Sequence, residues 1–176
     1  MVEAKVFPVF FPDFPWSLSG HPRAPTGYGQ SWIWFARRGI FCLGSITSPE
    51  DGVTQGFGTL DQMAPSFLLK TDTGYMRAII RGDTRISYRA IKRELGLKNV
   101  SLADPDTFLE VTGVAIGAVS LVNPDIPTLI DRLLLGLDQV YGGSGIERYT
   151  LQIRVEDLVR VTGARVFEFA SVKPQS

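Results

Sequence analysis

The 176-residue sequence predicts an α+β domain, in which a mixed, barrel-like β-sheet is flanked by a few packed helices. Three observations predict this class. From residue 66 onward, short strand-like apolar runs outnumber helical ones. Turn signals of the hairpin type separate several of these runs. Capping residues and glycines mark where the few helices begin and end.

The first two strands are predicted at 66–70 and 75–81. The tetrapeptide TDTG between them is a hairpin turn signal. Side chains alternate along a strand, so Arg77 and Arg81 are expected on one face of the second strand.

Three helices are predicted from their boundaries. Ser87 is a good N-cap for a helix over 88–95, and Gly96 ends it. A second helix begins with Pro at its first position and spans 105–112. A third, shorter helix is predicted at 156–161, before Gly163.

The remaining apolar runs are predicted to be strands, and a glycine-rich turn is expected between the third and fourth of them. These runs are 99–102, 128–134, 139–141, 149–153 and 165–169.

The composition changes near residue 65. Residues 1–65 are rich in glycine, proline and aromatic residues and have no clear periodicity, except for a strand or short helix predicted within 33–43. Residues 66–176 carry well-mixed charges. The sequence therefore predicts an atypical N-terminal segment, 1–65, that packs irregularly on a domain formed by 66–176.

The overall charge and the metal-binding residue types exclude several functions. Lys plus Arg and Asp plus Glu both number 18, so the chain is not a uniformly basic nucleic-acid coat. The single cysteine, Cys42, excludes an internal disulfide framework and a cysteine-rich zinc site. The single histidine, His21, excludes a multi-histidine metal centre. No apolar run approaches the roughly 20 residues that span a bilayer, so the expected compartment is the cytoplasm.

Six motifs between residues 66 and 170 occur in a recognisable order. They are GYMRAIIRGDTRIS, KNVSLADPDTFLEVTG, IGAVS, IPTLIDRLLL, QVYGGSGIERYTLQI and VEDLVRVTGARVFEF. Taken together and in this order, they resemble the YbaK-like family of free-standing aminoacyl-tRNA editing proteins. That family is related to the insertion domain of bacterial prolyl-tRNA synthetase.

The resemblance implies a fold and an activity. The fold is a mixed sheet closed into a barrel and flanked by helices. The activity is hydrolysis of the ester of mischarged tRNA carrying a small amino acid, with no metal or other cofactor. The implied partner is the aminoacylated 3′ end of tRNA, with no DNA or membrane, and the protein is expected to be a monomer or homodimer.

The chain departs from the family pattern at two site positions. The family lysine that precedes the first hairpin falls at or next to Pro65, and the nearest lysine is Lys70. The family loop Gly-x-x-x-Pro has Leu121 in place of its proline. A non-catalytic module that binds aminoacyl-tRNA or a protein partner is therefore the alternative function.

The resemblance also implies a set of site residues. The predicted catalytic residues are Gly117, Ala118 and Lys70. The predicted substrate-binding residues are Ser120, Asp131, Gly142, Gly143, Ser144 and Gly145.

Each of these predictions has a structural alternative. Backbone N–H groups of a glycine-rich loop can approach a substrate closely, but Gly117 could equally serve a tight bend. The glycine-rich stretch at 142–145 could be a simple hairpin turn. Asp131, inside an apolar run, could be a structural aspartate at a strand end.

Basic residues concentrate only between 77 and 93. The predicted RNA contacts are Arg81, Arg85 and Arg89, which could meet tRNA phosphates without base specificity. The alternative is a solvated helix face.

Overall fold

The computed structural model describes residues 40–43, 46–112, 119–123, 126–145 and 149–174. The strands in this part are β1 Ile40–Leu43, β2 Ser66–Thr71, β3 Gly74–Ile79, β4 Thr84–Ile86, β5 Val100–Leu102, β6 Thr128–Asp131, β7 Gln139–Gly143, β8 Tyr149–Arg154, β9 Arg165–Phe167 and β10 Ala170–Val172. The helices in this part are α1 Pro49–Thr54, α2 Tyr88–Leu95, α3 Pro105–Thr112 and α4 Val155–Thr162, with 3₁₀ helices at Leu60–Gln62 and Arg132–Gly136.

The described strands form three sheets. The largest is mixed and runs in the order β5-β2-β3-β6-β9, with antiparallel β5-β2-β3 and parallel β3-β6-β9 pairs. The second is antiparallel, in the order β1-β8-β7, and the third pairs β10 with β4. The predicted α+β class with a mixed sheet and flanking helices is confirmed. Closure into a barrel stays a prediction.

The local signals for the first hairpin and for α2 are confirmed. Thr71 stands opposite Gly74 where β2 turns into β3. The Ser87 hydroxyl accepts a hydrogen bond from the Ala90 N–H at 3.3 Å and so caps α2. Gly96 ends that helix in the left-handed conformation, with φ 67°, which favours glycine.

Two predicted strands are too long. The predicted strand 128–134 ends at Asp131, because the Asp131 carboxylate accepts the Leu133 N–H and starts a 3₁₀ helix. The predicted strand 165–169 ends at Phe167, and the chain then enters the separate strand β10, which pairs with β4. Strands of three residues are too short for alternation to reveal them.

The N-terminal segment contains more order than the sequence predicted. Within the predicted element at 33–43, Ile40–Leu43 forms β1 against β8, while 33–39 lie outside the described residues. Helix α1 was not predicted, although Ser48 caps it and Pro49 is at its start. The proposed domain boundary at residue 65 stays a prediction.

The mixed sheet is buried on both faces. Ile79 of β3 packs into an apolar cluster with β7, β8 and α4. Its neighbours Ala78 and Ile80 pack on the other side, with α2 and Phe167. No helix in the described part has the length and apolar character required to cross a membrane.

Candidate functional site

A cleft of about 300 Å³ opens where the start of β2 meets β7 and the C-terminal end of β5. It is lined by residues 46–49, 63–68, 102–103, 108, 119 and 141–143. Segments that are far apart in the chain therefore meet at the cleft, next to β2 of the mixed sheet.

The described residues that form the walls of the cleft carry no charge. None of its described lining residues is Asp, Glu, Lys, Arg or His. Buried apolar side chains such as Leu68, Phe108 and Val119 form much of the surface. Four hydroxyls complete it, from Thr47, Ser48, Ser66 and Tyr141. Such a lining suits an uncharged group of modest size with a few polar atoms.

Ser66 provides an unusual polar atom in this cleft. Its Oγ is buried and has no hydrogen-bond partner among the described residues. In contrast, the Thr47 hydroxyl donates to Asp51 at 2.9 Å, and the Ser48 hydroxyl accepts the Asp51 N–H. A buried hydroxyl without a partner costs about 1–3 kcal/mol and is a natural contact for a ligand. No feature of the sequence singles out Ser66, which is only the first residue of a predicted strand.

The structure separates Pro65 from Lys70. Pro65 lines the cleft, and its carbonyl accepts the Ile80 N–H at 3.3 Å. Lys70 is exposed near the other end of β2, opposite Tyr75 and Ser101, and is not among the cleft residues. At ~3.3 Å per residue the two positions are ~16 Å apart. Lys70, predicted as catalytic, is therefore not brought to the cleft.

The predicted catalytic loop is described only from Val119 onward. Gly117 and Ala118 lie outside the described residues, and their catalytic role stays a prediction. Val119 lines the cleft. Ser120 is buried behind it, and its hydroxyl accepts the Val122 N–H at 3.1 Å. Ser120 thus contributes to the shape of the loop, and it is not among the residues that line the cleft.

Gly142 and Gly143 belong to strand β7 and not to the predicted turn. Both line the cleft, and they pair with Leu151 and Thr150 of β8. A Cβ at Gly143 would lie far inside contact distance of the Val119 carbonyl oxygen, and one at Gly142 would lie 2.7 Å from the Leu121 side chain. These glycines are therefore required because the loop at 119–121 packs directly on β7.

Ser144 and Gly145 follow the strand and are not among the described residues that line the cleft. The Ser144 hydroxyl is buried and donates to the Tyr149 carbonyl at 2.7 Å. This contact fastens the ends of the β7–β8 connection, so the observed role of Ser144 is structural.

The contacts of Asp131 match the structural alternative. The carboxylate is fully buried and accepts the backbone N–H groups of Leu133, Phe169 and Ala170 at 3.0, 2.7 and 2.8 Å. It does not line the cleft. Asp131 therefore joins the end of β6 to the start of β10.

Only some of the basic residues predicted to form a surface patch are exposed to solvent. Arg77 was expected to share a face with Arg81, but it is 1% exposed and points into the fold. Arg81 is half-buried and donates to the Asp83 carboxylate, and this contact raises the pKa of the Arg81 guanidinium. Arg85 on β4 and Arg89 on α2 are exposed. The accessible basic patch is thus smaller than the sequence predicted.

No group of three or more His, Cys, Asp and Glu side chains that could hold a metal ion occurs among the described residues.

Comparisons with known proteins give consistent matches. The family described as an aminoacyl-tRNA editing domain matches residues 46–161. A proline–tRNA ligase of Thermotoga sp. strain RQ2 is 29% identical over 83 residues, which cover 47% of this chain and 14% of the length of the ligase. The matched region is thus a small part of that relative.

Two solved structures have the same fold. The hypothetical protein APE2540 superposes with a TM-score of 0.73 at 24% identity, covering 81% of this chain and 99% of the other. A candidate trans-editing enzyme for prolyl tRNA synthetase superposes with a TM-score of 0.72 at 21% identity, covering 85% and 99%. At these identities the likeness shows the fold.

Proposed function

Because the chain belongs to the aminoacyl-tRNA editing domain family, we propose that it hydrolyses the ester bond of mischarged tRNA that carries a small amino acid. The family match confirms the resemblance inferred from the ordered motifs, including the relation to prolyl-tRNA synthetase. The observation that carries the proposal is the uncharged cleft of about 300 Å³ within the matched residues.

The lining of the cleft supports an acyl group whose side chain is uncharged. Leu68, Phe108 and Val119 offer apolar contacts, and no described lining residue offers a counter-charge. A charged side chain would lose its hydration there without a partner. The preference for a small amino acid, such as alanine, cysteine or serine, is carried over from the resemblance to the editing family.

The chemistry requires few protein groups. Ester hydrolysis needs a positioned water, donors for the developing oxyanion and a hold on the terminal nucleotide. A free hydroxyl on the terminal ribose can help to activate the water, so neither a nucleophilic side chain nor a metal is needed. We assign the oxyanion donors to the backbone of Gly117 and Ala118, the two residues before Val119 in the sequence. Val119 itself lines the cleft.

Contacts with the tRNA backbone are assigned to Arg85 and Arg89. Both are exposed, and cations at such positions can bind phosphates without reading bases. Arg81 contributes less, because Asp83 already neutralises it. A deacylase of this kind acts where tRNA is charged, in the cytoplasm.

One observation favours a second function. The family lysine falls at or next to Pro65, and no described residue that lines the cleft is a cation. A cleft without that charge could bind an aminoacyl-tRNA end, or a protein partner, without hydrolysing an ester. The alternative is therefore a non-catalytic binding module.

Deacylation of purified alanyl-, cysteinyl- and seryl-tRNA distinguishes the two functions. The deacylase proposal predicts hydrolysis above the spontaneous rate for at least one of them, and a weaker effect on tRNA bearing a large amino acid. Tight binding of these tRNAs with no acceleration would favour the binding module.

A further inference from the structure

We propose that Arg77 is a positioning residue that holds the loop at 119–123 in the place where it forms a wall of the cleft. This inference rests on the proposed function for its catalytic consequence, although the position of the loop can be measured without it. Arg77 is a buried cation, 1% exposed, in the middle of the mixed sheet.

The Arg77 guanidinium donates in two directions. Toward the loop, Nη1 donates to the Ser120 carbonyl and Nη2 donates to the Asn123 carbonyl at 3.4 Å. Toward the sheet, Nη2 and Nε donate to the Thr128 hydroxyl at 3.0 and 3.3 Å. Thr128 is the β6 residue opposite Arg77 in the parallel pair, so the sheet fixes the position of the guanidinium.

The other side of the loop is held by β7. The Leu121 N–H donates to the Gly143 carbonyl at 2.7 Å, and the absence of a side chain at Gly143 lets the Val119 carbonyl approach. The loop is therefore clamped between Arg77 and β7. Val119, at its start, lines the cleft with Leu68 and Phe108. A shift of Ser120 would move this wall directly.

The geometry explains why arginine is suited to this position. A guanidinium has five donors in a rigid planar fork and can hold two loop carbonyls and a threonine hydroxyl at once. A lysine ammonium has three donors around a single point on a flexible stem, so it cannot reproduce the same separated contacts. Arg77→Lys therefore keeps the charge and most of the volume but loosens the loop.

The test compares Arg77→Lys and Arg77→Met with wild type, and uses Arg165→Lys as a matched control. Arg165 forms a surface ion pair with Glu94 and is not a cleft residue. Two quantities are measured. One is hydrogen exchange of the Leu121 and Val122 amides, both of which are hydrogen-bonded within the clamp. The other is kcat and KM for deacylation of alanyl-tRNA.

We expect both Arg77 variants to speed exchange at Leu121 and Val122 well beyond any change in β8, and the control to leave it unchanged. A misplacement of about 1 Å can reduce rates by about 10²-fold, so kcat is expected to fall by about 10- to 100-fold with little change in KM. Arg77→Lys keeps the test valid if Arg77→Met does not fold.

Three results would overturn the inference. They are unchanged exchange at Leu121 and Val122 in Arg77→Lys, an equal rise of exchange throughout the chain, or a fall in kcat with the loop still protected. If wild type hydrolyses no aminoacyl-tRNA, the proposed function fails, and the exchange data alone decide whether Arg77 positions the loop.

Discussion

Pro65 lines the cleft, and the resemblance puts the family lysine at or next to this position. A proline can supply neither a charge nor an N–H donor. Pro65→Lys is expected to raise the deacylation rate. A charge-assisted contact contributes about 1.5–3 kcal/mol, which corresponds to about one to two orders of magnitude. Single-turnover hydrolysis of alanyl-tRNA by the variant and by wild type measures the change.

Lys70→Ala provides the matched control for this substitution, because Lys70 is exposed near the far end of β2. Its rate should stay close to that of wild type. If wild type is clearly active and Lys70→Ala abolishes that activity, Lys70 is the functional lysine. The alignment of β2 with the family pattern would then be wrong.

Asp131 stabilises the fold through three backbone hydrogen bonds to its buried carboxylate. In Asp131→Asn an amide NH₂ replaces one of the acceptor oxygens and faces a backbone donor. An unsatisfied buried group costs about 1–3 kcal/mol, so we expect the free energy of unfolding in urea to fall by about that amount. Unchanged stability combined with slower deacylation would point to a substrate contact instead.

At the scale of elements, the packing of the 119–121 loop on β7 depends on Gly143. Gly143→Ala places a methyl group against the Val119 backbone, which cannot move aside as a flexible side chain would. We expect a loss of about 1–3 kcal/mol in stability and slower deacylation, because the cleft wall is displaced.

Gly136→Ala is the matched control for Gly143→Ala, since a Cβ there has no atom within 4 Å. It should leave both stability and activity nearly unchanged. Equal effects of the two substitutions would contradict the close packing of the loop on β7.

Helix α3 carries a pH-dependent contribution to stability. The Asp104 carboxylate accepts the Thr107 N–H at 2.9 Å and the Thr107 hydroxyl at 2.7 Å, and chiefly the first of these lowers the Asp104 pKa from its ordinary value of 3.8. A lowered folded-state pKa stabilises the protein above the unfolded pKa, and this stabilisation is lost as the pH falls through the folded value.

Asp104→Asn should therefore be less stable than wild type at neutral pH, and the difference should shrink as the pH falls below about 3.8. Urea unfolding of both proteins across a pH series measures this difference. A difference that stays constant down to the lowest pH at which both fold would contradict a stabilising contribution from the ionised Asp104 carboxylate.

Across the whole molecule, the features that could be predicted from the sequence are those that contacts between neighbouring residues determine. Ser87 and Gly96 delimit α2 through contacts within one or two turns, and the TDTG turn closes its own hairpin. Both features were predicted because their causes lie within a few residues.

The cleft depends on contacts between distant segments, and these were not predictable in the same way. Arg77 appeared to lie on a surface face because alternation cannot show that both faces of the sheet are buried. Gly142 and Gly143 appeared to form a turn, because the loop that requires them is about 20 residues earlier in the chain. Ser66 gave no signal, since its importance lies in the lack of a partner inside a cleft.

The proposed function is hydrolysis, at the uncharged cleft, of the ester of a small amino acid on tRNA. The most direct test is the single-turnover rate of alanyl-tRNA deacylation by excess purified wild-type protein, compared with the spontaneous rate in the same buffer. We expect a rate that rises with enzyme concentration to a plateau above the spontaneous rate. A rate equal to the spontaneous one at every concentration, for alanyl-, cysteinyl- and seryl-tRNA alike, would contradict it.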